Sequence, residues 1–124
     1  MKKNILKTKS LAFAIKIVGL YKYLVNEHKE YVLSKQVLRS GTSVGAMIRE
    51  AEFGQSKRYF IFKLSIAQKE INETIYWIEL LKETGYIDES QFEGLNEDAI
   101  VLIKLITSSI KTAKSNLKNI SIKP

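Results

Sequence analysis

The feature that most constrains this sequence is the absence of proline before its last residue, Pro124. Proline is the strongest interruption of a helix, and the chain instead repeats apolar residues at steps of three and four, as one helix face requires. No strand-like alternation of useful length is present. The sequence therefore predicts an all-α chain, and its 124 residues suffice for one domain with a single core.

Four helices are predicted, joined by short connections. Their expected bounds are about 10–26, 35–52, 57–84 and 88 to the end of the apolar repeat near 117. The expected N-terminal caps are Ser34, Ser56 and Asp88, the last with Gln91 as its capping-box partner. Gly54 and Gly85 suit left-handed positions after helices 2 and 3.

Short connections favour antiparallel neighbours, so the predicted fold is an antiparallel up-down-up-down four-helix bundle. Residues 1–124 form the single expected domain, with residues 1–9 and 116–124 as frayed basic ends.

The predicted helices differ in how much apolar surface they carry. For helix 1, the expected core face is Leu11, Ala14, Val18, Tyr21 and Val25. Helix 3 carries a complete core face and a second apolar face rotated away from it: Tyr59, Phe62, Ile66, Trp77 and Leu80. We expect this second face to form a homo-oligomer interface. The alternative is that helix 3 is covered on both sides within its own subunit.

Residues 35–81 resemble a known family. The stretch KQVLRSGTSVGAMIREAEFGQSKRYFIFKLSIAQKEINETIYWIELL resembles a pattern of roughly Q-L-R-R-S-A-T-S-I-G-A-N-I-A-E-G, a serine, an aromatic-rich helix start and K-L-S-I-A-x-K-E-x-x-E-T-x-Y-W. The residues that match its first part are Gln36, Arg39, Ser40, Thr42, Ser43, Gly45, Ala46, Ile48 and Glu50. Those that match the rest are Ser56, Phe60, Lys63, Leu64, Ser65, Ile66, Ala67, Lys69, Glu70, Glu73, Thr74, Tyr76 and Trp77.

This pattern belongs to the four-helix-bundle family named for proteins encoded in intervening sequences of bacterial 23S rRNA genes. The resemblance implies the bundle fold and suggests a five-fold ring, while the family's biochemical function is poorly defined. The accessory proteins of diversity-generating retroelements look like ring-forming relatives that act with nucleic acid.

Charged side chains lie beside the apolar faces of helices 2 and 3. We expect a structural polar network between these helices, made by Arg39, Ser43, Glu50, Glu70 and Glu73. Carboxylates among apolar side chains need a partner, and a guanidinium binds carboxylates in a forked geometry. The sequence leaves open whether the network lies within or between subunits. The alternative is that these charges lie at a solvated helix edge.

The net charge of +7 is unevenly distributed. Residues 1–63 carry +9, residues 64–103 carry −7 and residues 104–124 carry +5. In an antiparallel bundle, the starts of helices 1 and 3 share an end with the terminus of helix 4. That end is expected to gather Lys7, Lys9, Lys57, Arg58, Lys114 and Lys118. Such a surface suits the phosphate backbone of RNA or DNA, and a merely solvated basic end is the alternative.

Several functional classes are disfavoured. The chain has no cysteine and one histidine, His28, so it lacks a thiolate set or a multi-histidine metal site. The sequence has neither a GxxxxGK[ST] nor a GxGxxG motif. We expect no catalytic residues, no metal and no cofactor.

The apolar stretch of residues 11–24 is interrupted by Lys16 and Lys22 and lacks a cleavage site. No membrane association is therefore expected, and the predicted location is cytoplasmic. The sequence predicts a non-catalytic homo-oligomer that binds RNA or DNA through its basic end. A protein-interaction or self-assembly scaffold without nucleic acid is the alternative.

Overall fold

In the computed structural model the backbone is described for residues 2–122 and the side chains for residues 5–118. The four helices are α1 (Lys2–His28), α2 (Leu33–Phe53), α3 (Lys57–Glu83) and α4 (Glu89–Ile122). No strand occurs within the described backbone. The prediction of an all-α four-helix bundle is confirmed.

The first and last helices extend further than their predicted bounds. α1 begins at Lys2 instead of about Ser10, and α4 continues to Ile122. The expected fraying concerns segments that partly lie outside the described residues, namely Met1, the side chains of 2–4 and 119–122, and residues 123–124.

Each helix packs against two neighbours. α2 contacts α1 and α3, and α4 contacts α3 and α1, with the α1–α4 seam the least extensive. Within the described part of the chain, α1 does not pack against α3, nor α2 against α4. α1 and α3 therefore lie on opposite corners of the bundle, with their outer faces turned in opposite directions.

The core lies along the bundle axis. The sequence repeat of helix 2 predicts a core face of Val37, Gly41, Val44, Ile48 and Ala51, and all five are buried. The faces predicted by the repeats of helices 3 and 4 are buried or half-buried: Phe60, Leu64, Ala67, Ile71, Ile75, Ile78 and Leu81 in α3, and Phe92, Leu95, Ala99, Leu102, Ile106, Ile110, Ala113 and Leu117 in α4. The prediction for α1 was wrong, because its core face is Leu6, Ser10, Phe13, Ile17, Leu20 and Leu24. Leu11 and Val18 of the predicted face are exposed, and Ala14, Tyr21 and Val25 are half-buried beside it.

Gly41 lets α1 and α2 approach closely. A Cβ atom added at Gly41 would lie 2.7 Å from Ile17 Cγ1, closer than real Cβ contacts. Next to it, the buried hydroxyls of Ser40 and Thr74 lie 2.9 Å apart and join α2 to α3. Small residues on α2 thus allow close packing on one side and a buried hydrogen bond on the other.

Three predicted helix boundaries are confirmed. Ser56 Oγ accepts a hydrogen bond from the Tyr59 N–H at the start of α3 (3.1 Å). Asp88 and Gln91 form the capping box of α4, with distances of 2.9 and 2.8 Å. Gly85 follows α3 with φ +84°, in the left-handed region that glycine tolerates best.

Two predicted boundaries were wrong. Ser34 lies buried within α2, and the Glu30 carboxylate accepts the N–H groups at the start of that helix instead. Gly54 has φ −69°, so its backbone does not need glycine. Glycine fits there because an added Cβ would lie 2.0 Å from Tyr59 Cδ2.

Candidate nucleic-acid interface

The bundle topology gathers four helix ends into one pole. A cleft of about 420 Å³ marks this pole and is lined from all four helices and the α2–α3 connection. Leu6 represents the start of α1, Ala51 the end of α2, Lys57 the start of α3 and Asn116 the last part of α4. The antiparallel order therefore brings the early part of α1 and the late part of α4 together with the start of α3.

The six predicted cations, Lys7, Lys9, Lys57, Arg58, Lys114 and Lys118, are all exposed at these helix ends. None of them forms an ion pair with another side chain among residues 5–118. We call this group the basic pole. Lys57 belongs both to this group and to the cleft.

Two carboxylates of α2 lie near the basic pole. Glu50 Oε1 is 2.7 Å from Lys63 Nζ, and this hydrogen bond raises the pKa of Lys63. The Lys63 ammonium also lies 5.5 Å from the ring centre of Tyr59 and 5.9 Å from that of Phe62. Glu52, by contrast, lines the cleft. Glu50 is therefore paired with a lysine that does not belong to the basic pole.

The predicted polar residues of α2 and α3 form a smaller network within one chain. Arg39 Nη1 donates to both oxygens of Glu70, at 3.3 and 3.1 Å, and Arg39 Nη2 donates to Glu73 Oε2. Trp77 Nε1 donates to the same Glu73 oxygen at 3.0 Å. Ser43 Oγ bonds its own helix at the Arg39 carbonyl, and the Glu50 side chain contacts Lys63 instead of Arg39.

Electrostatics within this network favour the charged forms. The hydrogen bonds from Trp77 and then Arg39 lower the pKa of Glu73. The hydrogen bond to Glu73 is the main cause that raises the pKa of Arg39. These contacts link the side chains of α2 and α3 within one chain.

The second apolar face of α3 is partly open. Ile66, Trp77 and Leu80 are half-buried, while Tyr59 and Phe62 are exposed, Phe62 by 58%. Sequence reasoning missed two neighbours, Tyr76 at 56% exposure and Phe53 at 86%. Tyr76 lies two residues from the core positions Thr74 and Ile78, a spacing that points it away from the core. We call Tyr59, Phe62 and Tyr76 the α3 outer face.

A second exposed apolar face lies on α1. Leu11, Ile15 and Val18 recur at helical spacing, and Ile15 is 63% exposed between the core residues Phe13 and Ile17. These three residues are the α1 outer face, on the corner opposite the α3 outer face. The sequence prediction placed Leu11 and Val18 on the core face of helix 1 and did not include Ile15.

The single histidine does not contribute to a candidate metal site. His28 is the last residue of α1, where its ring lies between those of Tyr23 and Tyr86 at centroid distances of 5.1 and 5.4 Å. Across the described residues, no cluster of His, Asp and Glu side chains is arranged to hold a metal ion. Nor does any helix in that part of the chain have the length and apolarity to span a membrane.

Together, these features define an antiparallel four-helix bundle with one basic pole and two exposed apolar faces. The chain belongs to the 23S rRNA-intervening sequence protein family, whose family model matches residues 2–108. The resemblance identified from residues 35–81 is thus confirmed over most of the chain.

A solved structure supports the same assignment. It is a protein of unknown function from the S23 ribosomal protein family of Bacteroides thetaiotaomicron VPI-5482, determined at 1.70 Å resolution. That protein is 60% identical to this chain, with a TM-score of 0.88, and the match covers 90% of this chain and 99% of that one. The comparison with curated proteins gives no match.

Proposed function

We propose that this chain is a non-catalytic, cytoplasmic protein that binds the backbone of RNA or DNA through its basic pole. The observation that carries the proposal is the convergence of six exposed cations, without ion-pair partners among the described side chains, at three neighbouring helix ends. Cations without internal partners keep their full attraction for phosphates.

Binding of this kind draws its free energy from the counterions released when lysines neutralise phosphates. Its affinity therefore falls steeply with salt. The described helices include no motif that reads base pairs in a groove, so the backbone contacts themselves carry little sequence preference. The resemblance to retroelement accessory proteins is consistent with this proposal and remains a prediction.

The test compares two double variants that remove the same charge. Lys57→Ala/Lys114→Ala changes the basic pole, whereas Lys29→Ala/Lys35→Ala changes exposed lysines at the other end of the bundle. For single-stranded RNA, each lost phosphate contact lowers the slope of log affinity against log salt by about 0.7, so the first variant loses about 1.4. The second keeps the slope of the unchanged protein.

Fluorescence anisotropy with a labelled mixed-sequence RNA, over a range of salt concentrations, measures these slopes. Equal losses for both variants would reduce the effect to net charge and contradict a localised site. Absence of binding at low salt would overturn the proposal and leave self-assembly as the principal function.

Self-assembly is the second proposed function, and the two outer faces support it. A symmetric interface between two copies of the same face would pair α3 with α3. In this chain, however, two different apolar faces lie on opposite corners. Such a pair favours a heterologous contact, in which the α1 outer face of one copy meets the α3 outer face of the next. Heterologous contacts close into a ring when the rotation between neighbouring copies permits it, and the family resemblance suggests a five-fold ring.

Charge supports the same pairing. α1 carries no acidic residue before Glu27, whereas α3 after Lys63 carries four glutamates and two lysines. A basic helix against a more acidic one orients neighbouring copies.

Aspartate substitutions separate these arrangements. Ile15→Asp and Phe62→Asp each remove one face, so each variant alone is expected to be monomeric in light scattering. Mixed together, they should form a heterodimer, because each supplies the face that the other has lost. Val101→Asp places the same charge on an exposed apolar position of α4 and should leave the mass unchanged. If Ile15→Asp still assembles fully, the heterologous contact is wrong.

A further inference from the structure

The cleft at the basic pole has a composition of its own. Its lining combines the apolar side chains Leu6, Phe60 and Ala113 with polar side chains. The polar lining residues from α4 are Ser108, Ser109, Thr112 and Asn116. Its volume of about 420 Å³ lies within the range of about 300–1,000 Å³ that is typical of small-molecule pockets.

Glu52 supplies the negatively charged group of this cleft, and its carboxylate is incompletely satisfied. Glu52 Oε2 is buried and has no hydrogen-bond partner among the described residues. Buried polar atoms almost always have partners, because leaving one unpaired costs free energy. Glu50, one half-turn earlier in α2, has Lys63 as its partner. The cleft thus contains an acceptor that requires a donor from outside the described residues.

The position of the cleft limits what supplies that donor. A free cation is disfavoured because Lys57 lines the cleft and the other cations of the basic pole lie at the same helix ends. A neutral hydrogen-bond donor attached to an anionic backbone suits both the unpaired acceptor and the positive surroundings. The backbone contacts the lysines while the donor enters the cleft. Lys57 belongs to both surfaces and places a phosphate-binding group beside the cleft.

We propose that the cleft binds one unpaired guanine base of a nucleic acid whose backbone lies on the basic pole. The proposal rests on the proposed nucleic-acid function and adds a base preference to it. Guanine is the only common base whose Watson–Crick edge presents two adjacent donors, its ring N–H and its amino group. A carboxylate accepts such donors, and single-stranded bases are commonly held by their edges and against aromatic rings.

Phe60 provides the aromatic surface, and Glu52 provides the acceptor. Uracil fits poorly because its single ring donor lies between two carbonyl acceptors, which a carboxylate repels. Adenine and cytosine each present one amino donor beside an acceptor, so they are intermediate.

The experiment compares single-stranded oligouridines that differ only in one central base. The central base is guanosine, inosine or uridine, and anisotropy competition gives the relative affinities at one salt concentration. We expect the guanosine oligonucleotide to bind about tenfold more tightly than oligouridine, as one well-formed base contact allows. Inosine keeps the ring N–H but lacks the amino group, and should fall between them.

Two glutamate variants assign the preference to the cleft. Glu52→Gln keeps the side-chain shape and should abolish the guanosine preference. Glu50→Gln removes the same charge from the same helix end and should retain it. Both variants are expected to bind oligouridine somewhat more tightly because each makes the pole more positive. Thr112→Leu provides a second route, since the larger apolar side chain narrows the cleft without touching the carboxylate.

The outcomes separate the base site from the proposed function. Equal, salt-dependent binding of all three oligonucleotides would overturn the guanine site while leaving backbone binding intact. An equal effect of Glu52→Gln and Glu50→Gln on the preference would also overturn the assignment to this cleft. No binding of any oligonucleotide at low salt would overturn both proposals.

Discussion

The two ends of the bundle use their charged side chains differently. At the far pole, formed by the α1–α2 and α3–α4 connections, three charged side chains take part in local structure. Glu30 caps α2, Asp88 caps α4, and Lys82 lies 4.2 Å from the ring centre of Phe92. At the basic pole, the six cations have no ion-pair partner among the described side chains.

This difference separates charges that support folding from charges that remain available to a ligand. Each pole gathers one end of every helix, so the number of helix ends does not explain the difference. The far pole combines acids and bases, and the basic pole has only Glu50 and Glu52 beside its cations. Substitutions at the two poles should therefore affect different measurements, stability at one end and binding at the other.

Glu30→Ala should have the largest effect on stability among these charged sites. The Glu30 carboxylate accepts from the N–H groups of Val32, Leu33 and Ser34 at 3.2, 3.0 and 2.7 Å. Its loss should lower the free energy of unfolding by about 2 kcal/mol, the upper range for a helix cap. Urea unfolding measures the change, and Glu27→Ala, an exposed acid on α1, is the control. A loss no greater than that of Glu27→Ala would show that water replaces the cap.

The same contact predicts a pH dependence. Burial alone would raise the pKa of Glu30, but the backbone hydrogen bonds outweigh burial and lower the pKa below its ordinary value of 4.5. A lowered folded-state pKa contributes stability above the unfolded-state value, which is lost as pH falls through the folded-state value. The unchanged protein should therefore lose more stability on acidification below pH 4.5 than Glu30→Ala does.

Glu30 also shows where sequence reasoning reached its limit. Polar residues before α2 predicted a cap, and Ser34 matched the preference for a short hydroxyl side chain. The cap comes instead from a longer acid four residues earlier, because Lys29 with φ +53° turns the connection back toward the helix start. A turn of this kind depends on one backbone angle that local composition does not specify.

The core of α1 was mispredicted for a related reason. The sequence of α1 contains two apolar faces, and periodicity detects both without ranking them. The face that includes Ser10 is buried, while the one that includes Leu11 is open. In α4, six of the eight predicted face residues are buried and the other two, Phe92 and Leu117, are half-buried. The bundle fold was predictable because helical periodicity and short connections do not depend on which face of α1 is buried.

The candidate site was predictable to the level of charge and topology. Antiparallel helix order places Lys57 and Lys114 at one end whatever the side-chain packing is. The cleft and the unpaired Glu52 oxygen were not predictable, because they depend on how the α2–α3 connection lies against α4. The spacing of residues in the sequence could not reveal an acceptor whose defining property is the lack of a hydrogen-bond partner.

Arg39→Ala tests a charged side chain that lies between the two poles and is expected to support folding. The Arg39 side chain is 49% exposed, which weakens its ion pairs through solvent screening. Its loss also leaves Glu70, at 18% exposure, without that cation. We expect a loss of about 1 kcal/mol, near the upper limit for exposed pairs. Arg49→Ala, at an exposed arginine of the same helix, should change the melting temperature little.

Thermal melting and light scattering should be combined for Arg39→Ala. The contacts lie within one chain, so the melting temperature should fall while the mass stays unchanged. Higher salt should narrow the difference from the unchanged protein because it screens the ion pairs. An unchanged melting temperature would show that the network is a solvated edge.

The smallest effect should come from removing cations at the basic pole. Lys57→Ala/Lys114→Ala should change the free energy of unfolding by less than about 0.5 kcal/mol, as is usual for surface sites without partners. Any change should be stabilising, because like charges at one pole repel each other. Lys82→Ala, at the far pole, should cost about 0.5–1 kcal/mol through its contacts with Phe92 and Glu89.

Urea unfolding at low salt gives both values on one scale. A loss of more than about 1 kcal/mol for Lys57→Ala/Lys114→Ala would exceed the surface range and contradict the separation between the poles. Those lysines would then contribute to folding. Weaker RNA binding by the same variant would no longer identify a contact between the lysines and RNA. A near-zero change in the free energy of unfolding, together with a reduced salt slope, would show that the cations contact the ligand. The substitutions would then remove no interaction of the folded state.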